Sequence, residues 1–268
     1  MKNLGKNFSE LERSSNKMKT IAITNDDGYT EGINILLDFA KKMGKTYAVV
    51  PERQRSAVSA AITLHKPLRL NKIELNREIY TLSGTPADCA IFSIYAEELA
   101  TPDILFSGIN WGDNTGLSPL ISSGTIGAVW KAAIHGVPSV AFSIYQKQHS
   151  VDRLGWMDKK NWQNPEGMKK ALARVWRKIG PEMKPGVFFV VNFPSPFKLD
   201  RSEIVFPKRI QMKRTAPIIE RRNDVYGNPY FWLGGKDPEI EKGTDFYEVA
   251  VKGNISITKI ELDKLAHL

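Results

Sequence analysis

Asn25-Asp26-Asp27-Gly28 sets two carboxylates side by side, directly after the short apolar run Ile21-Ala22-Ile23-Thr24. Like charges this close resist joint ionisation. A divalent cation bound by both removes that cost. Two more polar clusters follow apolar runs in the same way. Arg53-Gln54-Arg55-Ser56 comes after "YAVVP", and Ser107-Gly108-Ile109-Asn110, continuing through Gly112, Asn114 and Gly116, comes after "DILF". Carboxylates, a hydroxyl and carboxamides are all oxygen donors, the set that Mg²⁺ and Mn²⁺ prefer. Zinc would favour histidine and cysteine, but the chain has 4 His, none in an HExxH arrangement, and 1 Cys. The dipeptide alone also fits a simpler role, with Asp26 or Asp27 capping the following helix or closing an Asx-turn. A fourth element is Ser123-Gly124-Thr125, at the start of a predicted helix. The unpaired amides and dipole of such a helix start can cradle a phosphate, or Ser123 can serve as an ordinary N-cap. Neither GxxxxGK[ST] nor GxGxxG occurs. An oxygen-lined cation site with a phosphate cradle, and without a P-loop, points to hydrolysis of a phosphate ester.

These clusters need a scaffold that brings them together, and the apolar patterning supplies one. Runs at 20–24, 47–51, 79–83, 103–108, 139–143 and 187–194 read as strands. Helical segments read over 31–43, 85–99 (Thr85 as N-cap, Pro86 at the first helical position), 124–136 and 164–179. Alternation of this kind predicts an α/β fold: a Rossmann-like, doubly wound, mostly parallel sheet. Ligands of such sheets bind beyond the carboxyl ends of the strands, where all three polar clusters fall. After residue 200 helical periodicity fades. "DVYGNPYFWLGG" (224–235) reads as a hairpin and "GNISITKI" (253–260) as a strand. The expected organisation is a mobile polar extension over 1–17, a catalytic domain over 18–200, and a β-rich C-terminal arm over 201–268. That arm completes the domain and serves in oligomerisation.

At 268 residues and 42 % apolar, the chain can bury a large core. Cys89 is its single cysteine, which excludes an internal disulfide framework and suits a reducing compartment. No apolar run is long enough to span a membrane, and "MKNLGKNFSELERSSNK" lacks a secretory apolar block. The expected location is cytoplasmic. A net charge of +9 favours anionic ligands. The basic residues are scattered and no groove-reading motif accompanies them, so a solvated basic surface is expected and no specific nucleic-acid partner.

Taken together, "TNDDG" (24–28), "ERQRSAVSAAIT" (52–63), "GTPADC" (84–89), "PDILFSGINWGDNTG" (102–116), "SSGT" (122–125), "VVNFP" (190–194), "RNDVYGNPYFWLGG" (222–235) and "GTDFYEVAVKGNISIT" (243–258) resemble the SurE family of stationary-phase survival nucleotidases. The likeness covers nearly all of 18–260. It implies a divalent-metal-dependent phosphohydrolase acting on nucleoside monophosphates, with one Mg²⁺ or Mn²⁺ per subunit. By motif position the metal ligands are Asp26, Asp27, Ser56 and Asn110. Asp26 or Asp27 orients or deprotonates the attacking water, while Asn114 and the Ser123-Gly124-Thr125 turn hold the phosphate. A C-terminal arm exchanged between subunits implies a homodimer or homotetramer, and the aromatic residues Tyr226, Tyr230, Phe231 and Trp232 exceed what a lone hairpin can bury. Ser118, Lys131 and Lys259 depart from the family's pattern, the first two near the expected substrate rim. Two other readings compete. A haloacid-dehalogenase-like phosphatase would need its two Asp residues separated by one position so that they share a side of an extended chain, whereas here they are adjacent. A nucleotide or nucleic-acid binder with a degraded site would suit the charge but not four intact ligand positions.

Overall fold

β1 (Lys19–Thr24) shows how one short strand serves two layers. Ile21 and Ile23 pack on one face of the sheet with α1 (Glu31–Ala40) and α5 (Pro165–Ile179). Ala22 packs on the other face with α2 (Pro86–Tyr95) and α4 (Gly124–Ile134). Period-2 alternation thus feeds two apolar layers from the same strand. In the computed structural model, which describes residues 18–74, 77–145, 164–194, 202–214, 216–236 and 239–267, this arrangement repeats along the sheet. The expected mobile extension over 1–17 lies outside the described residues.

Among the described residues nine strands form the main sheet, in the order β3-β4-β2-β1-β5-β6-β7-β11-β8. β2 (Gly44–Pro51), β4 (Ile79–Leu82), β5 (Ile104–Trp111), β6 (Ser139–Ile144) and β7 (Val187–Phe193) run parallel to β1. β3 (Leu70–Glu74) closes one edge antiparallel to β4. At the other side β11 (Ile255–Glu261) runs antiparallel to β7 and carries the two-residue β8 (Ile204–Val205) on its outer edge. The sheet is therefore doubly wound and mostly parallel, with the C-terminal strand built into it. The segments β9 (Ala216–Asn223) and β10 (Pro229–Lys236) form a separate antiparallel hairpin. Asp224 closes its turn by accepting from the amides of Tyr226 and Asn228 at 2.9 and 2.8 Å.

Helix starts follow their side chains. Thr85 and Asp88 exchange hydrogen bonds across the first turn of α2, with Pro86 leading the helix. Several element ends differ from expectation. α1 stops at Ala40, and 41–43 form a turn. α2 stops at Tyr95, because Ala96 is extended. β5 continues through the expected loop as far as Trp111, with its pairing to β6 shifted between Ser107 and Asn110. β3 and the short helix α3 (Leu117–Ser122) are additional to the expected elements. Among the described residues no helix is long and apolar enough to cross a membrane.

Candidate metal and phosphate site

The carboxyl ends of β1, β2 and β5 meet the first turn of α4. Asn25, fully buried, closes the turn after β1: its Oδ1 accepts from the Gly28 amide at 3.0 Å and its Nδ2 donates to the Gly28 carbonyl at 2.7 Å. α1 has Thr30 at its N-cap, with no side-chain capping bond. The capping role open to Asp26 and Asp27 is therefore not the one they take. Asp26 turns to α4, where its Oδ1 accepts from the Thr125 hydroxyl at 2.5 Å and its carboxylate is also stabilised by the Gly124 and Thr125 amides. Asp27 turns to the other two strand ends. Its Oδ1 accepts from Gln54 Nε2 at 3.3 Å, and the backbone of Trp111 also supports it. Gln54 Nε2 donates as well to Ser56 Oγ at 3.0 Å, so Asp27 and Ser56 share one neighbour. Asn110, next to Trp111, spends its Nδ2 on the Gly112 carbonyl at 2.6 Å, so Oδ1 is the atom that could ligate an ion.

Burial raises the carboxyl of Asp26, against the pull of Thr125 and the helix amides. Burial, and then the charge of Asp26, push Asp27 up to about 7. The influences on the pair are desolvation, mutual repulsion and neutral donors, with no Lys or Arg among the main ones. A buried and a half-buried acid side by side, with no ion pair among the described residues, are costly unless a cation is supplied. Among the described residues no group of three or more His, Cys, Asp or Glu forms a metal cluster. The donor set is instead two carboxylates with a hydroxyl and a carboxamide, and it fits a hard divalent ion.

Long loops are pinned around this centre. The segment 52–69 has no helix or strand. Ser59 fastens it to α3 through its amide on the Ser122 carbonyl at 2.9 Å and its hydroxyl on the Ile121 carbonyl at 2.5 Å. Asp88 holds it from α2, accepting from Thr63 N at 2.9 Å and Thr63 Oγ1 at 2.6 Å. At Gly124 a Cβ would lie 2.8 Å from Asp26 Cβ and 3.0 Å from the Arg55 carbonyl, so only glycine lets α4 begin against the acidic turn.

Of the residues expected to hold phosphate, Ser123, Gly124 and Thr125 open α4 beside Asp26, while Asn114 lies between the ends of β6 and β7, and most of their donors have protein partners. Ser123 caps α4, its Oγ accepting from Ile126 N at 3.3 Å. Gly124 and Thr125 face Asp26. Asn114 is buried: its Nδ2 donates to Ser143 Oγ and its amide to Asn192 Oδ1, each at 2.7 Å. Lys131 sits in the last turn of α4, about two helical turns from Gly124 and so away from the rim. Ser118 is exposed on α3. Sequence reading missed the structural carboxylates Asp88, Asp113 and Asp245. Only Asp88 carried a signal, at the N3 position of a capping box begun by Thr85.

The fold and this site define an α/β protein of Rossmann type with an oxygen-lined acidic centre, suited to a hard cation, at the carboxyl ends of its parallel strands. Known proteins narrow that class. The family profile described as Survival protein SurE matches residues 21–217. The 5′-nucleotidase SurE of Thermofilum pendens is 37 % identical over 245 residues, spanning 90 % of each chain. The 5′-nucleotidase SurE 1 of Thermus thermophilus is 34 % identical, spanning 92 % of this chain and 93 % of its own. The crystal structure of the SurE protein from Aquifex aeolicus superposes with a TM-score of 0.72 at 29 % identity, covering 91 % of this chain and 94 % of that one. The chain belongs to the SurE family.

Proposed function

We propose that the protein is a divalent-metal-dependent nucleotidase, a hydrolase that removes phosphate from nucleoside monophosphates. The observation that carries this reading is the buried carboxyl of Asp26 and the half-buried one of Asp27, meeting beside a helix start with no ion pair among the described residues. The relatives named 5′-nucleotidase support the substrate class. Asp26, Asp27, Ser56 and Asn110 would hold one Mg²⁺ or Mn²⁺ per subunit. When bound, such an ion supplies Lewis-acid polarisation of phosphoryl oxygens and lowers the pKa of water.

The chain's own groups divide the remaining work. Asp26 is 4 % exposed and held by Thr125 and the α4 amides, so it is a fixed ligand. Asp27 is the less buried of the two and lies toward the open loops of β2 and β5. Its carboxyl, near neutrality when no ion is present, orients the attacking water and takes its proton at a carboxylate oxygen. The Ser123-Gly124-Thr125 turn and Asn114 border the phosphate, with the α4 dipole favouring its charge. Cytoplasmic location, and assembly as a homodimer or homotetramer, belong to the same reading.

The test is hydrolysis of a panel of nucleoside 5′- and 3′-monophosphates with Mg²⁺, with Mn²⁺ and after chelation. Metal-dependent phosphate release from at least one of them is expected. Nucleotide binding without release under every metal would instead favour a non-catalytic binder.

A further inference from the structure

The loop between Asn110 and α3 is gripped from outside the parallel sheet. Arg214 Nε and Nη2 bind Asp113 Oδ2 and Oδ1 at 2.8 and 2.9 Å, a two-pronged pair. Its burial is nearly complete: the two side chains are 10 % and 4 % exposed. The guanidinium lies 4.1 Å from the centre of the Phe246 ring and 5.9 Å from that of Tyr145. Beyond Arg214, Asp245 Oδ2 accepts from the Gly116 amide at 2.6 Å and the Gln211 carbonyl from the Leu117 amide at 2.8 Å. Asp113 also accepts from the Thr115 hydroxyl. Asn114 thus sits between a residue locked to Arg214 and one locked to Asp113, while its own amide is held by Asn192.

We infer that Arg214 is a positioning residue for the phosphate end of the site, acting through Asp113 to fix Asn114. The inference rests on the proposed function for its substrate. Arg214 stands two residues before the hairpin strand β9, so the root of the exposed hairpin and the anchor of the active-site loop are one side chain. The proposed cation donors, by contrast, belong to β5 (Asn110) and to the turns after β1 (Asp26, Asp27) and β2 (Ser56). The geometry therefore predicts a split: loosening the pair weakens the hold on phosphate and leaves the hold on the metal intact. Lysine offers a point charge where the pair needs a planar fork, so Arg214→Lys retains the charge and loses the geometry.

Calorimetry on the full chain separates the two. Mn²⁺ binding is measured alone, then inorganic phosphate binding with Mn²⁺ present, together with kcat and KM for the monophosphate that wild type turns over best. In Arg214→Ala and Arg214→Lys, the phosphate Kd and the KM should rise roughly tenfold or more, since small misplacements of a positioning group are expensive. Mn²⁺ affinity should stay within about twofold of wild type by the same separation of donors. Ethylguanidinium added to Arg214→Ala should recover part of the lost KM by filling the space over Phe246. If Arg214→Ala does not fold, Asp113→Asn, which keeps the shape of the carboxylate, should show the same split. Unchanged phosphate affinity and KM in the folded variants overturn the inference. So does a parallel fall in Mn²⁺ and phosphate affinity, which would mean that the pair only maintains overall structure. If wild type hydrolyses no monophosphate, the proposed function fails, yet the phosphate-binding comparison still decides the role of Arg214. If wild type binds no phosphate, both fail.

Discussion

Asp27 combines burial, a like charge beside it and a place on the open side of the site. Its folded pKa of about 7 lies above the ordinary 3.8. Without metal, folding therefore takes up a proton between those pH values. The stability tied to this group is greatest near or below pH 4 and is lost as pH rises toward 7. A bound cation favours the carboxylate and reverses that cost. Apparent Mn²⁺ affinity should accordingly climb with pH and level off near 7, with about one proton released per ion below that point. Equal affinity from about pH 5.5 to about pH 8 would contradict this linkage. Asp27→Asn and Asn110→Ala should each weaken metal binding by at least about tenfold, seen as a shifted metal titration of activity. The metal-free Asp27→Asn protein should melt higher than wild type at pH 8, because a repelled buried charge is gone. A melting point lower by the equivalent of about 1 kcal/mol, with metal response intact, would instead mark a lost cap. The proposed oxygen donors were legible as a group in the sequence, because Asp-Asp, Ser and Asn follow apolar runs. Asp113 and Arg214 were not, because they stand 101 positions apart and each alone reads as an ordinary surface charge.

α4 reaches the acidic turn through Gly124, and that approach is testable. Gly124→Ala would drive a Cβ into Asp26 and the Arg55 carbonyl. Overpacking of this kind costs about 1–3 kcal/mol, and metal affinity and activity should fall with it. Gly136→Ala, in a left-handed turn at φ +81° with nothing within 4 Å of its added Cβ, is the matched control. It should lose about 1–2 kcal/mol of stability from backbone strain alone, with an unchanged metal titration. Similar metal behaviour in both variants would argue against close packing of α4 on Asp26 as a condition for the site. The parallel strands and their covering helices were legible from periodicity, since each buries a full apolar face. The polar edge strand β3, "LNKIE", carried no such signal and exists by pairing with β4. α3 buries no residue, and its six residues make fewer than two turns, too few for a helical period to show. β5 outran its expected end because pairing with β6 resumes beyond the irregularity at Gly108-Ile109, with Asn110 opposite Ser143 and Trp111 opposite Ile144.

The hairpin leaves Ile219, Phe231, Trp232 and Leu233 at 70, 59, 53 and 79 % exposure. Apolar surface of this extent on an isolated ribbon calls for a covering partner, and a second copy of the chain is the expected one. Sedimentation at micromolar concentration should show a dimer or tetramer. Replacing 216–236 by a short glycine linker should yield monomer that keeps its metal site, whereas a wild-type protein sedimenting only as monomer would refute the assembly. The hairpin's existence was legible from Asn228, Gly227 and the flanking aromatics; its separation from the main sheet was not, since strand partners are not written in composition. The main sheet, meanwhile, closes late. β11 lies between β7 and β8, and its residues, 255–261, follow all of the proposed site residues in sequence. A nascent chain leaving the ribosome therefore presents every donor of the site while one flank of β7 is still unpaired. A stop codon between Asp245 and Ile255 would release a protein with all of these groups encoded and its sheet left open, a substrate for chaperones and proteases rather than for turnover.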